Sequence, residues 1–310
     1  MTEFNLRLKA SVDANKFRYG YPWIYSNEII SDRRTKSLLP GSFCKLVDYN
    51  KNPICLVTVN PKSKIFARVM DFNFETTVDA YWLKDKISKA LAKRKEIFRD
   101  PFYRLVNAEA DELPGLIVDR FDNVIVMQPN AFWAENMSEI IANSIKEVCS
   151  IDVVIKNASG RSRRLEGLDD KNSVFFGDLP EAAISVPMNG AIYKADVHEG
   201  QKTGLFYDQR QNHKFVASLA NGKTVLDVFC HVGGFGLAAI AAGASKVSFV
   251  DSSANALDLV REGASEMMAS SKMNIIRGDA FSVLRKLFES NSSYDIVICD
   301  PPAFVTSRKS

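Results

Sequence analysis

Short apolar runs separated by polar turns dominate the first 75 residues. The runs at 43–47, 54–59 and 65–70 are rich in Val, Ile, Leu and Phe, and a polar turn containing Asn52-Pro53 separates the first two. A run, a turn and a second run predict a β-hairpin. We therefore predict a small β-domain over residues 1–75, closed as a barrel.

The next stretch mixes helical and strand patterns. Residues 79–99 carry Leu83, Ile87 and Leu91 on one helical face and most of their Lys and Arg on the others. Strands are predicted near 103–107, 115–119, 123–128, 151–156, 173–176 and 183–195, with a helix near 132–149. We predict a separate α+β domain over residues 76–190.

From about residue 208 helices and strands alternate regularly. Helices are predicted at 208–220, 236–242, 255–268 and 280–289, and apolar strands at 224–228, 247–250, 274–276 and 295–299. Such alternation favours a parallel sheet with helices on both faces. The chain is thus predicted to be a multidomain α/β protein, with a Rossmann-like domain over residues 191–310 that contains the first four strands only.

Composition narrows the class of protein. Hydrophobic residues make up 46% and charged residues 25% of the 310 residues, as in soluble globular proteins. We expect no transmembrane helix, no signal peptide and no role at a membrane. The five cysteines are widely spaced without a C-x-x-C pair, so we expect neither a zinc site nor any other metal, and a reducing cytoplasm fits.

Charge is distributed unevenly along the chain. Residues 1–105 contain 20 Lys and Arg against 11 Asp and Glu, and the remaining residues contain 20 against 26. A basic N-terminal part favours a polyanionic partner. A set of solvated lysines on one helix would give the same count, and charge alone does not decide between the two.

Acidic residues lie at or just after the ends of all four predicted strands of the last domain. They are Asp227, Asp251, Asp279 and Asp300, and the turn after the first strand contains Gly233-Gly234. Ligands of open α/β sheets bind at these strand ends. Glycines would let the backbone approach a ligand, Asp251 could accept bonds from ribose hydroxyls, and Asp279 suits an adenine. The pattern predicts an S-adenosylmethionine (SAM) site.

The same residues also allow simpler roles. The G-G-x-G spacing differs from the G-x-G-x-x-G that a pyrophosphate needs, so NAD is disfavoured. An acid at a strand end can simply cap a helix, and Asp251 before Ser252-Ser253 could do so. The loop Asp300-Pro301-Pro302-Ala303-Phe304 could orient a planar base beside the transferred methyl group, or could merely end a strand.

Five segments resemble the RlmI-like large-subunit rRNA cytosine-5 methyltransferases. The segments are 18–26, 109–120, 202–210, 227–235 and 300–304, and those at 109–120 and 202–210 are the most specific. The resemblance runs the length of the chain. It implies an N-terminal PUA RNA-binding barrel, a central α+β domain, a SAM-dependent methyltransferase domain, a role in rRNA processing and large-subunit rRNA as the partner.

Together, resemblance and pattern assign the candidate site residues. The cofactor-binding candidates are Lys202, Thr203, Gly204, Gln209, Arg210, Asp227, Phe229, Gly233, Gly234, Phe235, Asp251, Asp279, Ala280 and Asp300. The RNA-binding candidates are Lys16, Arg18, Pro302 and Phe304. We expect Asp300 to position the base and Trp23 to lie in the barrel core. The cluster Arg161-Ser162-Arg163-Arg164 could contact RNA or pair with neighbours such as Glu166.

Two departures from the family pattern concern catalysis. Family members usually carry small or hydroxyl residues where this chain has Cys230-His231-Val232. Cytosine carbon 5 also needs a cysteine thiolate at carbon 6, and the resemblance implies a nucleophile on a strand after the loop at 300–304. We expect Cys299 to point into packed sheet and Cys230 to be a buried core residue. A related branch of the family has a second Cys after the proline of the loop, where this chain has Ala303. We therefore name no nucleophile, and we expect a C-terminally truncated chain with little or no methyl transfer.

Two alternatives remain beside cytosine-5 methylation. A non-catalytic RNA-binding protein would use the barrel and the basic helix alone. A methyltransferase acting on a purine nitrogen would need no cysteine, and the loop at 300–304 is compatible with it. Whether the chain forms a homodimer stays open.

Overall fold

The chain divides into two compact units, residues 1–179 and residues 180–310. The computed structural model describes residues 4–197 and 204–302. The first unit contains the predicted β-domain and most of the predicted α+β domain. The division into three domains at the predicted boundaries stays a prediction.

A five-stranded sheet forms the N-terminal part of the first unit. Its elements are β1 (Asn5–Arg7), α1 (Asn15–Arg18), β2 (Trp23–Tyr25), α2 (Arg33–Lys36), β3 (Phe43–Val47), β4 (Pro53–Val59) and β5 (Ile65–Asp71). The order is β1-β3-β4-β5-β2, with β1 parallel to β3 and the other pairs antiparallel. A bridge between Leu8 and Ile29 closes the sheet into a barrel, around a core that includes Phe17 and Ile24.

A second five-stranded sheet follows, accompanied by four helices. The elements are α3 (Ala80–Ile97), β6 (Phe102–Asn107), β7 (Leu116–Phe121), β8 (Val124–Pro129), α4 (Phe132–Asn136), α5 (Ser138–Cys149), β9 (Val153–Lys156), α6 (Arg161–Glu166) and β10 (Ser173–Phe176). The order is β10-β9-β8-β7-β6, and α3 packs against α5. The helix predicted near 132–149 is divided at Met137, whose φ of −107° and ψ of 14° leave helical geometry.

The second unit contains the predicted parallel sheet. Its elements are β11 (Ile184–Met188), β12 (Ala191–Ala195), α7 (Arg210–Ser218), β13 (Thr224–Val228), α8 (Gly234–Ala241), β14 (Lys246–Asp251), α9 (Ala254–Glu266), β15 (Met273–Arg277), α10 (Ala280–Glu289) and β16 (Ile296–Cys299). Strands β13 to β16 pair in parallel in the order β15-β14-β13-β16. The predicted Rossmann-like arrangement is confirmed. Among the described residues no helix is long and apolar enough to cross a membrane.

A buried ion-pair network fastens the barrel to the second sheet inside the first unit. Arg68 of β5 donates to Glu166 at 2.6 Å and to Glu109 at 3.1 Å. Asn60 donates to Glu166 at 2.7 Å, and the Trp23 indole N–H donates to Glu109 at 2.8 Å. The expectation for Trp23 is therefore wrong: its ring is half-buried beside Glu109, because the indole N–H has a charged partner there.

Removing one partner of this network should be costly. Glu166 is 5% exposed, so Glu166→Ala leaves Arg68 in a buried position with one carboxylate fewer. We expect the free energy of unfolding to fall by about 3–5 kcal/mol, measured by urea denaturation. The control is Asp85→Ala, which breaks the exposed Lys89–Asp85 pair and should cost less than about 1 kcal/mol. Equal losses in the two variants would contradict a fastening role.

Candidate cofactor site

The order of the parallel sheet creates a switch point beside its central strand. The chain moves outward from β13 to β14 and β15, and then returns to the other side of β13 to form β16. The loops that follow β13 and β16 therefore lead away in opposite directions from the carboxyl ends of these strands. Open α/β sheets bind ligands in the crevice between two such loops. Asp227, Asp251, Asp279 and Asp300 all lie at or near this edge.

Asp227 is buried beneath the first loop. Its side chain is 1% exposed, and its Oδ2 atom accepts a hydrogen bond of 2.8 Å from the backbone N–H of Gly236. Burial raises the pKa of this carboxyl to about 7, and the charges of Asp251 and Asp300 act in the same direction. Asp227 thus holds the first turn of α8 against the end of β13.

Asp251 ends β14 and faces the same loop. One carboxylate oxygen accepts from the backbone N–H of His231 and the other from that of Ser253, both at 2.9 Å. The cap of α9 is Ser253, whose hydroxyl accepts from Ala256, so Asp251 itself is not the helix cap. A carboxylate has about four acceptor positions, and two of them are left for donors such as ribose hydroxyls.

The loop between β13 and α8 has an unusual backbone. Phe229 and His231 adopt φ values of +62° and +50°, and Gly233 adopts +81°. Left-handed conformations of non-glycine residues cost of order 1–3 kcal/mol and cluster at functional sites. Sequence reasoning missed this feature, although the substitution of His231 into the turn was a signal that the turn is not ordinary. The His231 ring lies edge-on to Phe206, with centroids 4.9 Å apart.

Two further strand ends carry exposed acids. Asp279 caps α10, accepting bonds of 3.0 Å from the N–H and the hydroxyl of Ser282, while Ala280 is buried behind it and the Phe281 ring is 63% exposed. Asp279 therefore serves a helix cap, and a contact with adenine stays a prediction. Asp300 and Pro302 are exposed after β16.

The remaining predicted site residues precede α7 or follow β16. Lys202, Thr203 and Phe304 lie outside the described residues. Gly204 is buried and Gln209 is half-buried. Arg210 begins α7, and its charge acts on the hydroxyl of Tyr193.

Tyr193 and His213 border the same loop, and sequence reasoning missed both. The Tyr193 hydroxyl donates to the Gly234 carbonyl at 3.2 Å, and His213 packs on Phe235. Neither residue lies at a strand end or in a glycine-rich turn, so no local pattern marks them. Both are site residues because the packing of β12 and α7 brings them to α8.

The predicted RNA contacts of the barrel are engaged in ion pairs. The Lys16 ammonium pairs with Glu28 and lies 5.1 Å from the centroid of the Tyr21 ring. Arg18 pairs with Asp48 at 3.6 Å. Both side chains keep about a third of their surface exposed, at 34% and 37%, so an RNA phosphate could still compete for them.

One arginine of the basic cluster at 161–164 is buried and has a structural role. Arg163 is fully buried and donates to Glu135 at 2.7 Å and to the Pro129 carbonyl. Its carboxylate partners are Glu135 and Asp169, while Glu166 is bound by Arg68. Arg163 therefore forms ion pairs inside the protein and is not available to RNA. Its partners are Glu135 and Asp169, and not the expected Glu166.

The cysteines differ in their surroundings. Cys44, Cys55, Cys149 and Cys230 are buried, and burial raises the pKa of each thiol, to about 12 for the first two. The expectation for Cys299 is wrong, since it is exposed. Cys299 is the last residue of β16 and pairs in register with Val228. Its side chain therefore projects from the same face of the sheet as that of Val228.

Comparison with known proteins agrees with this geometry. Residues 164–309 match the model of the S-adenosylmethionine-dependent methyltransferase family, and residues 6–72 match that of the PUA-like domain. The solved structure of SMU.776, complexed with S-adenosylhomocysteine (SAH), shares the fold with a TM-score of 0.83 at 18% identity, over 100% of this chain and 78% of that one. The chain therefore contains a domain of the SAM-dependent methyltransferase family after an N-terminal PUA-like domain.

Curated relatives give the family. The ribosomal RNA large subunit methyltransferase I of Shewanella frigidimarina is 32% identical over 93% of this chain and 73% of its own length. The enzyme of the same name from Aeromonas hydrophila is 31% identical over the same shares. The chain belongs to the ribosomal RNA large subunit methyltransferase I family.

The described residues fit the cofactor of this family. Asp251 accepts two backbone hydrogen bonds and keeps acceptor positions for two hydroxyls. A pyrophosphate-binding glycine pattern is absent from this loop. SAM would supply an activated methyl group there, the loop at 229–235 and Asp251 would hold it, and the buried Asp227 would support that loop.

Asp251→Asn should weaken cofactor binding. The change removes the charge while keeping the side-chain shape, and bonds to a charged acceptor contribute about 1.5–3 kcal/mol. We expect the affinity for SAH to fall about 10- to 100-fold, measured by isothermal titration calorimetry. Asp258→Asn, on the exposed surface of α9 and paired with Arg261, is the matched control. Unchanged affinity in Asp251→Asn would rule out a ribose contact.

Asp227 should impose a pH dependence on stability. Its pKa is about 7 in the folded chain against an ordinary 3.8, so between these values the folded state binds more protons than the unfolded state. The free energy of unfolding should therefore fall as pH rises from about 4 to about 7, by up to about 1.4 kcal/mol per pH unit. Asp227→Asn should lack this component when urea denaturation is compared across that range. Parallel curves for the two proteins would contradict the assignment.

Proposed function

We propose that this chain forms the SAM- and rRNA-binding part of an enzyme that methylates carbon 5 of a cytosine in large-subunit rRNA. SAM is the methyl donor. The observation that carries the proposal is the 32% identity, over 93% of the chain, to a relative named ribosomal RNA large subunit methyltransferase I. The PUA-like domain and the excess of basic residues in the first 105 residues support an RNA substrate.

The barrel is proposed to hold the RNA backbone. Lys16 and Arg18 lie on α1 with partly exposed side chains, and the Tyr19 ring beside them is 88% exposed. Basic groups contact phosphates, and an exposed ring can stack on an unpaired base. The ion pairs with Glu28 and Asp48 hold these basic side chains in place before RNA arrives.

The loop after β16 is proposed to position the cytosine. The Asp300 carboxylate is exposed and can accept from the exocyclic amino group of the base. Pro301 and Pro302 have fixed φ angles and no backbone N–H, so they would hold this loop rigid beside the base. In this proposal Pro302 and Phe304 contact the base, as the family resemblance implies.

The cysteine nucleophile is proposed to lie outside these 310 residues. Carbon 5 of cytosine becomes nucleophilic only after a thiolate adds to carbon 6, and the thiolate leaves once the carbon 5 proton is removed. The thiols of Cys44, Cys55, Cys149 and Cys230 are buried with raised pKa values, which disfavours the thiolate. Cys299 projects from a sheet face. These residues alone should therefore bind SAM and rRNA but turn over very slowly.

The proposal is tested by combining binding with product analysis. The 310-residue chain is titrated with large-subunit rRNA in the presence of SAH, and then incubated with rRNA and SAM for nucleoside mass spectrometry. We expect rRNA binding, and 5-methylcytosine formation at least about 10⁴-fold below an ordinary turnover of about 1 s⁻¹. Cys299→Ser should behave like the unsubstituted chain.

Each other outcome contradicts one part of the proposal. Ordinary rates of 5-methylcytosine formation would show that the nucleophile is present in these residues. A methylated purine would show that the base is wrong, and the methyltransferase would then need no cysteine. Failure to bind rRNA at low salt, where phosphate contacts are strongest, would overturn the RNA substrate.

A further inference from the structure

An imidazole lies directly behind the cofactor loop. His213 of α7 is 3% exposed, and its ring stacks on Tyr193, with centroids 6.3 Å apart and an interplanar angle of 29°. On another side the Phe235 ring meets it edge-on, with centroids 4.5 Å apart. The imidazole is therefore fixed between two aromatic rings that border the loop.

Gly234 has no conformational need to be glycine. It is the first residue of α8 and does not have a positive φ, whereas its neighbour Gly233 has a φ of +81°. A right-handed helical conformation is open to every L-amino acid at the first position of a helix. A spatial reason must therefore account for the absence of a side chain at 234.

His213 supplies that spatial reason from inside the protein. A Cβ atom built on Gly234 would lie 2.6 Å from both Cε1 and Nε2 of His213, well inside van der Waals contact. The imidazole has little room to retreat, because it is buried against Tyr193 and Phe235. The Tyr193 hydroxyl also donates to the Gly234 carbonyl, so the loop is held toward the ring.

We infer that His213 is a positioning residue for the cofactor loop, and that the requirement for glycine at position 234 is set by its imidazole ring and not by contact with the cofactor. This inference rests on the proposed cofactor site. His213 supports the loop from behind as a neutral ring, since burial lowers its pKa to about 4. Its Nδ1 atom has no hydrogen-bond partner among the described residues, which agrees with a role based on shape.

A double-mutant cycle separates the two possible reasons for the glycine. Gly234→Ala, His213→Ala and the double variant are compared for SAH affinity by calorimetry and for melting temperature. We expect Gly234→Ala to weaken SAH binding at least about 10-fold and to lower the melting temperature, because the new methyl group displaces the loop. In the double variant the truncated His213 makes room, so both quantities should return to those of His213→Ala alone.

Two controls test whether the rescue of Gly234→Ala comes from the space that the His213 ring leaves, and not from a general effect of substitutions in α7. Gly234→Ala combined with His213→Phe restores a ring at the same place and should give no recovery. Lys214→Ala, at the next and exposed position of α7, should leave SAH affinity unchanged and should not rescue Gly234→Ala.

Three results would overturn the inference. They are a double variant that binds SAH as weakly as Gly234→Ala, a Gly234→Ala variant that binds like the unsubstituted chain, and recovery with His213→Phe. If Gly234→Ala does not fold, recovery of folding in the double variant supports the inference and its absence contradicts it. If the unsubstituted chain fails to bind SAH, the cofactor proposal is wrong, and the melting temperatures alone decide whether His213 excludes a side chain at 234.

Discussion

One buried hydrogen bond, from the backbone of Gly236 to the carboxyl group of Asp227, determines how the cofactor edge is built. It fixes the start of α8 against the end of β13, and the short loop between them must then turn within a few residues. The left-handed conformations of Phe229 and His231 follow from that constraint. The same turn aims the His231 backbone at Asp251, so the ends of β13 and β14 are joined into one acceptor-rich edge.

Much of this edge could be predicted from the sequence. The strand from Thr224 to Val228 and the helix from Ala280 to Glu289 have the predicted bounds, because buried parallel strands are continuous apolar runs and amphipathic helices repeat every 3.6 residues. Acids that end such strands must meet at one edge, since parallel strands share their direction. The positions of Asp227 and Asp251 in the fold therefore followed from pattern alone.

The partners of individual side chains could not be predicted in this way. His213 is distant from Gly234 in sequence, and only the packing of α7 on α8 brings them together. Arg163 lies in a run of basic residues that suggests a solvated surface, yet it is buried against Glu135. Cys299 alternates like a core residue, but its exposure depends on which elements cover that sheet face. In each case tertiary packing, which leaves no periodic trace, decides the environment.

The binding of SAM at the carboxyl ends of β13 and β14 is tested most directly by hydrogen–deuterium exchange of the chain with and without SAH. We expect SAH to slow exchange in peptides covering residues 229–236 and 251–253, while the barrel strands β3 to β5 are unchanged. Protection confined to other parts of the chain, or no protection at saturating SAH, would contradict a cofactor site at this edge.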